Sequence, residues 1–173
     1  MQDSKRIKMG MKKLKNTGAW LLAGMMTAAV AACGTLTAAQ QAERALAVEK
    51  ALESMHYEVE VKMMYPRRTP AINVTSNYSL EVKGDTLVSY MPFYGRAYSV
   101  PYGGGKSLNF TAPIKSYQAV KDDKGTTRVK VVTDNDEDVI TYNLEVFDNG
   151  QVTIDVLARE REMISYSGEM ILK

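Results

Sequence analysis

Val139-Ile140-Thr141-Tyr142-Asn143-Leu144-Glu145-Val146-Phe147-Asp148-Asn149-Gly150-Gln151-Val152-Thr153-Ile154-Asp155-Val156-Leu157 is the stretch on which the fold turns. Every second residue is apolar: Ile140, Tyr142, Leu144 and Val146 before the middle, Val152, Ile154 and Val156 after it. A strand sends successive side chains to opposite faces, so the pattern predicts two strands, each with one buried and one wet face. Asp148-Asn149-Gly150 between them contains Asn-Gly, the strongest short signal for a tight hairpin.

The same grammar extends in both directions. Downstream, Ile164, Tyr166, Met170 and Leu172 fall on one face, with Gly168 among them. Upstream, residues 127–133 and 116–121 read as strands, punctuated by Asn135-Asp136-Glu137-Asp138 and Asp122-Asp123-Lys124-Gly125. Further back, Tyr78, Leu80 and Val82 alternate with polar residues, and Lys83-Gly84-Asp85 turns into 86–91. At the head of the series Tyr57, Val59, Val61 and Met63 face one way, and Pro66 ends the run because proline cannot donate to a ladder. Consecutive short hairpins make an antiparallel meander. Eight or nine such strands close into a barrel or split into a sandwich, which limits exposed edges.

One helix precedes the strands. Thr37-Ala38-Ala39-Gln40 has capping-box spacing. Ala45, Val48, Leu52 and Met55 form an apolar stripe opposite Glu43, Lys50 and Ser54, which predicts a helix over 38–56 packed on the β domain or plugging its end. The fold class is therefore mainly β, with one N-terminal helix.

Residues 1–32 read as a leader. Lys5, Arg6, Lys8, Lys12, Lys13 and Lys15 are followed by an apolar run over 19–30, long enough for a secretory h-region and short of the roughly 20 residues that span a bilayer. Met11 is an alternative start. The run ends in Val30-Ala31-Ala32-Cys33, which resembles the lipobox of bacterial lipoproteins, in which the cysteine accepts a diacylglycerol and becomes the first residue. The expected organisation is a signal peptide over 1–32, a lipidated linker and helix over 33–56, and an antiparallel β domain over 57–173. By the same resemblance, Gly34 in place of Asp favours the outer membrane, and the lack of an acidic cluster after Cys33 favours its periplasmic face.

Removing the leader changes the charge. The whole chain carries a formal +2, but residues 1–32 hold six basic residues and one acidic one, leaving 16 and 19. A mature chain at −3 gives no support for nucleic-acid binding. With one cysteine it has no disulfide to form, so a core must hold it.

The alternation stops at 90–110. Tyr90, Phe93, Tyr94, Tyr98, Tyr102 and Phe110 are six of the thirteen Phe and Tyr residues, and Pro92, Gly95, Pro101 and Gly103-Gly104-Gly105 interrupt them. Tyrosines offer apolar faces with polar tips, and Arg96 can stack on them or pair with an anion. Tyr90, Phe93, Tyr94, Arg96, Tyr98 and Tyr102 are thus the candidate binding residues at a barrel mouth. The competing reading has these rings filling the core at a bulged corner.

Other chemistry finds little footing. Gly105-Lys106-Ser107 lacks the earlier glycine and following helix of a phosphate loop. Asp134, Asp136, Asp138 and Glu145 have calcium-loop spacing, but Val139 stands where the sharp turn needs glycine, so an acidic hairpin turn is expected and no metal. His56, the single histidine, leaves no His-clustered zinc site and no nucleophile relay, and the carboxylates sit in turns and on wet faces. The chain is read as non-enzymatic and without cofactor.

From the lipobox through the helix and β domain, the chain resembles an uncharacterised family of lipoproteins typical of Bacteroidota, a domain of unknown function. The signature is Met91-Pro92-Phe93-Tyr94-Gly95-Arg96-Ala97-Tyr98, with Met where the family commonly has Leu. The resemblance implies a lipocalin-like antiparallel barrel and no assigned activity. Two functions follow as expectations: binding of a small apolar or amphipathic ligand near the aromatic loop, or docking of another envelope protein through it. The first needs a cavity of several hundred Å3, a common size for ligand sites. The second needs a filled interior and an exposed apolar patch. A third, acid–base hydrolysis, needs two buried carboxylates facing one another.

Overall fold

In the computed structural model, which describes residues 37–99 and 106–172, nine strands follow one helix. The leader, Cys33, Tyr102 and Gly103-Gly104-Gly105 lie outside the described residues.

Helix α1 is Ala38–Glu53. Thr37 caps it as the spacing predicts: its hydroxyl accepts from the Gln40 amide and the Gln40 side chain accepts from the Thr37 amide. The helix stops three residues short of 56. Ser54 still donates its N–H to Lys50 O, but Met55 then turns left-handed at φ 52 and His56 opens the first strand. The His56 ring nitrogen sits 2.7 Å from Ser54 O, a local tie at the helix end.

The strands are β1 (His56–Tyr65), β2 (Ile72–Asn73), β3 (Ser79–Lys83), β4 (Thr86–Tyr90), β5 (Asn109–Lys121), β6 (Thr127–Asp134), β7 (Val139–Val146), β8 (Gln151–Ala158) and β9 (Ile164–Ile171). All pairings are antiparallel, and β9 returns to β1, so eight strands close a barrel and the sandwich alternative falls away. The two-residue β2 adds only to the far end of β1. Among the described residues no helix is long and apolar enough to cross a membrane.

Two predicted details are corrected. Met63 does not continue the inward row of β1: the register against β9 slips between Val61 and Met63, and Met64 is buried in its place. The extra residue in this bulge reverses the alternation beyond it. The strand expected over 116–121 begins at Asn109. Pro113 sits inside it without breaking it, because the register slips between Ile114 and Ser116 and its carbonyl accepts from the Thr133 hydroxyl.

The barrel interior is filled. Val59, Leu80, Val82, Leu87, Val131, Ile140, Tyr142, Ile154 and Tyr166 each keep 0% of their accessible surface. A side chain bordering a water-sized void would keep some, so these side chains pack on one another. Burial on this scale is worth about 1.5–3 kcal/mol for each large aliphatic side chain. Val48 and Leu52 of α1 join the same core. The helix thus closes the end that carries the β3–β4, β5–β6 and β7–β8 turns, with Arg44 paired to Glu169 and Lys121 3.6 Å from Glu49.

Candidate functional site

The opposite end of the barrel gathers four connections: 66–78, the described parts 91–99 and 106–108 of the segment between β4 and β5, 135–138 and 159–163. The aromatic segment is one of them, and interior tyrosines hold its two roots. The Tyr166 hydroxyl donates to Pro92 O at 2.6 Å. The Tyr142 hydroxyl donates to Ser89 Oγ at 3.0 Å, and Ser89 donates onward to Leu108 O at 2.7 Å. Burial pushes both phenols well above the ordinary tyrosine range, so they remain protonated donors. Met91 N–H also bonds Leu108 O, and Met91 and Leu108 are themselves core residues.

Beyond Pro92 the segment lies against the β8–β9 connection. Ala97 bridges Arg161, with Tyr98 N–H donating to Glu160 O and Glu162 N–H to Arg96 O, both at 2.8 Å. Phe93 packs on the core, and the Arg161 guanidinium lies 5.6 Å above its ring.

Three carboxylates fasten these loops together. Glu162, 8% exposed, accepts from Arg68 Nε at 3.1 Å and from the Arg96 amide at 3.2 Å. Asp138 accepts from the Arg159 and Glu160 amides, both at 3.0 Å. Glu137 accepts from the Lys106 amide at 2.9 Å. Asn135 and Asp134 use their side-chain oxygens on amides of the same turn. The acidic run therefore works as a structured turn whose carboxylates bind backbone. Among the described residues no group of three or more His, Cys, Asp or Glu side chains could hold a metal ion.

The candidate binding residues divide. Tyr90, Tyr94 and Tyr98 are 50%, 55% and 68% exposed, and Arg96 is exposed as well. The Tyr90 ring stands beside that of Tyr78, with ring centroids 4.9 Å apart. Phe93 turns inward, and Tyr102 lies outside the described residues. Arg96 contributes its backbone to the scaffold while its side chain stays in solvent. A cleft of about 540 Å3 lies at the other end, between α1 and the ends of β1, β3 and β9, lined by Lys50, His56, Tyr57 and Leu172 among others. It is ligand-sized but contains none of the aromatic segment.

Sequence reasoning missed Glu162, which in 159–162 is one charge among four. The Arg68 guanidinium, followed by the Arg96 amide, holds its carboxyl below the usual glutamate value. A lowered folded value means support that is complete above the unfolded pKa and lost as pH falls through the folded one. Titration below about pH 4.3 should therefore shift the Arg96 and Tyr98 amide resonances together. Glu162→Gln should remove that step and leave both amides less protected at neutral pH. Unchanged resonances through the acid range would mean that Glu162 does not hold the segment.

The site is thus the loop end of a small, filled antiparallel barrel plugged by a helix: a rigid platform with tyrosines on its rim. The chain belongs to the DUF4251 family, a domain of unknown function, whose model matches residues 39–170. Among solved structures it resembles a DUF4251 family protein from Bacteroides eggerthii DSM 20697, with a TM-score of 0.58 and 16% identity over 77% of this chain and 92% of that one. No curated protein matches it.

Proposed function

We propose that the chain is a non-enzymatic lipoprotein of the bacterial envelope, acylated at Cys33, that docks another envelope protein through Tyr90, Tyr94 and Tyr98. What supports this reading over a ligand-binding barrel is the contrast between an interior whose central side chains keep no accessible surface and three tyrosines half or more exposed around one end. Tyrosine is a favoured anchor at such contacts, because a large amphipathic ring gives up few rotamers on burial. The carboxylate ties hold the rim in place before any partner arrives, which lowers the ordering cost of association. Cys33 precedes the Thr37 cap by four residues, so a lipid there tethers the domain through its helix and leaves the tyrosines for a partner. The outer membrane and its periplasmic face belong to the same proposal, on the Gly34 argument.

Native mass spectrometry of the protein taken from its own envelope tests this. A diacylglyceryl mass on Cys33 and a stoichiometric companion protein are the expected results. A free Cys33 thiol overturns the anchor. A co-purifying lipid with no companion protein overturns docking in favour of the small apolar ligand.

A further inference from the structure

Strand β5 has thirteen residues, and each half of it pairs with a strand on one side only. Over Asn109–Pro113 it pairs β4, and over Ile114–Lys121 it pairs β6. Past Ile114, whose N–H goes to Asp85 O, its second edge meets no strand among the described residues. The direction of the open groups follows from the turn. Asp122 donates its N–H to Thr126 O, across the hairpin. Alternation then turns the amides and carbonyls of Val120 and Gln118 toward β6, and those of Tyr117, Ala119 and Lys121 toward the open edge. Ile114 points toward β4 with the opposite parity, as the slip between Ile114 and Ser116 requires.

An open edge is a template for another strand. This one lacks proline beyond Pro113, and Val120 on it is 68% exposed. Alongside it, Tyr117, Ala119 and Lys121 line a cleft of about 380 Å3 with Leu52 and Met55 of α1. The residue order selects the register in which a second copy fits. Antiparallel self-pairing about Gln118 would set Lys115 against the partner's Lys121, a repulsive contact. Self-pairing about Ala119 sets Tyr117 against the partner's Lys121 and Gln118 against the partner's Val120, and brings Lys115 to the Asp122-Asp123 turn just past the end of the partner's β5. That register is charge-complementary and joins open amides to open carbonyls. We propose that two copies of this chain pair antiparallel along the open halves of their β5 strands, Ala119 beside the partner's Ala119. The contact is isologous, so it uses both edges and stops at two copies. It is separate from the tyrosine rim and does not depend on it.

Cross-linking in place tests the register. In a hydrogen-bonded antiparallel pair the Cα atoms lie about 5.5 Å apart, within disulfide reach. The full chain carrying Ala119→Cys, expressed with residues 1–32 and oxidised in its own envelope, should give a product of twice the protomer mass. The unsubstituted chain and Lys130→Cys, on the neighbouring strand, should not. Lys115→Glu should weaken self-association of the purified protein about tenfold by opposing the partner's Asp123, and adding Asp123→Lys should restore it. No Ala119→Cys product, a product with the mass of another protein, or charge variants that leave association unchanged would each overturn the proposal.

Discussion

Gly168→Ala should cost about 3 kcal/mol or more of unfolding free energy and leave much of the protein aggregated, the largest loss expected from any single methyl group in this domain. A Cβ built at Gly168 would stand 2.1 Å from Glu60 O, 3.0 Å from Glu60 C and 3.2 Å from Val61 Cα. All three are backbone atoms, so no side chain can swing away to make room. Gly168 also sits where closure is decided. It pairs with Val61 at the bulge that joins β9 to β1, and with Val152 on its other side. Relief requires β1 and β9 to part, which would expose two strand edges that the barrel otherwise hides. A glycine within a strand would ordinarily gain stability from alanine, which restricts the unfolded chain, so the sign of this effect is itself informative. Gly84→Ala is the comparison. There the added methyl meets only the His56 ring at 3.8 Å, and the cost is that of a left-handed alanine at φ 61, about 1–2 kcal/mol. Urea midpoints of the two variants, with unchanged m-values, make the test. A Gly168→Ala midpoint no lower than that of Gly84→Ala would mean that the seam is not tightly closed.

The same seam shows what the sequence made legible and what it hid. Period-two alternation located β6 through β9 almost to the residue because nothing there interrupts the pleat. The Thr37 and Gln40 pair was legible because a capping box spans only four residues. A bulge is different: the extra residue at Lys62 leaves no mark in composition, and the inward row shifts from Met63 to Met64. The start of β5 was hidden in the same way: the slip between Ile114 and Ser116 interrupts the alternation seen over 116–121, and the strand runs on through Pro113 to Asn109. At the loop end, composition located the aromatic segment but neither which rings turn inward, as Phe93 does, nor the groups that hold it. Glu162 meets Arg68 and Arg96 across 94 and 66 residues of chain, so no local pattern could announce it. Local signals reported local structure, and the ties that make a rigid rim out of four loops are all long-range.

That rigidity separates binding from folding in the second large effect. On the docking proposal, replacing Tyr94 and Tyr98 together by serine should reduce capture of the proposed companion protein by at least about a hundredfold while changing stability by no more than about 0.5 kcal/mol. The two rings are 55% and 68% exposed, so the free domain loses little packing when they go. Tyr98 ties to the β8–β9 connection through its backbone, which serine preserves. Phe93→Ala should behave the other way: its ring packs on the core beneath the Arg161 guanidinium, so stability falls, and capture suffers only as far as the rim loosens. Tyr90 lies between these cases because Tyr78 covers part of its ring. Recovery of the companion in native mass spectra and the urea midpoint read the two properties independently. A platform held by Glu162, Asp138 and Tyr166 should let them vary separately; a hundredfold loss that comes only with a matching fall in stability would show that the tyrosines serve the fold, and undiminished capture by the double variant would remove the rim from the docking surface.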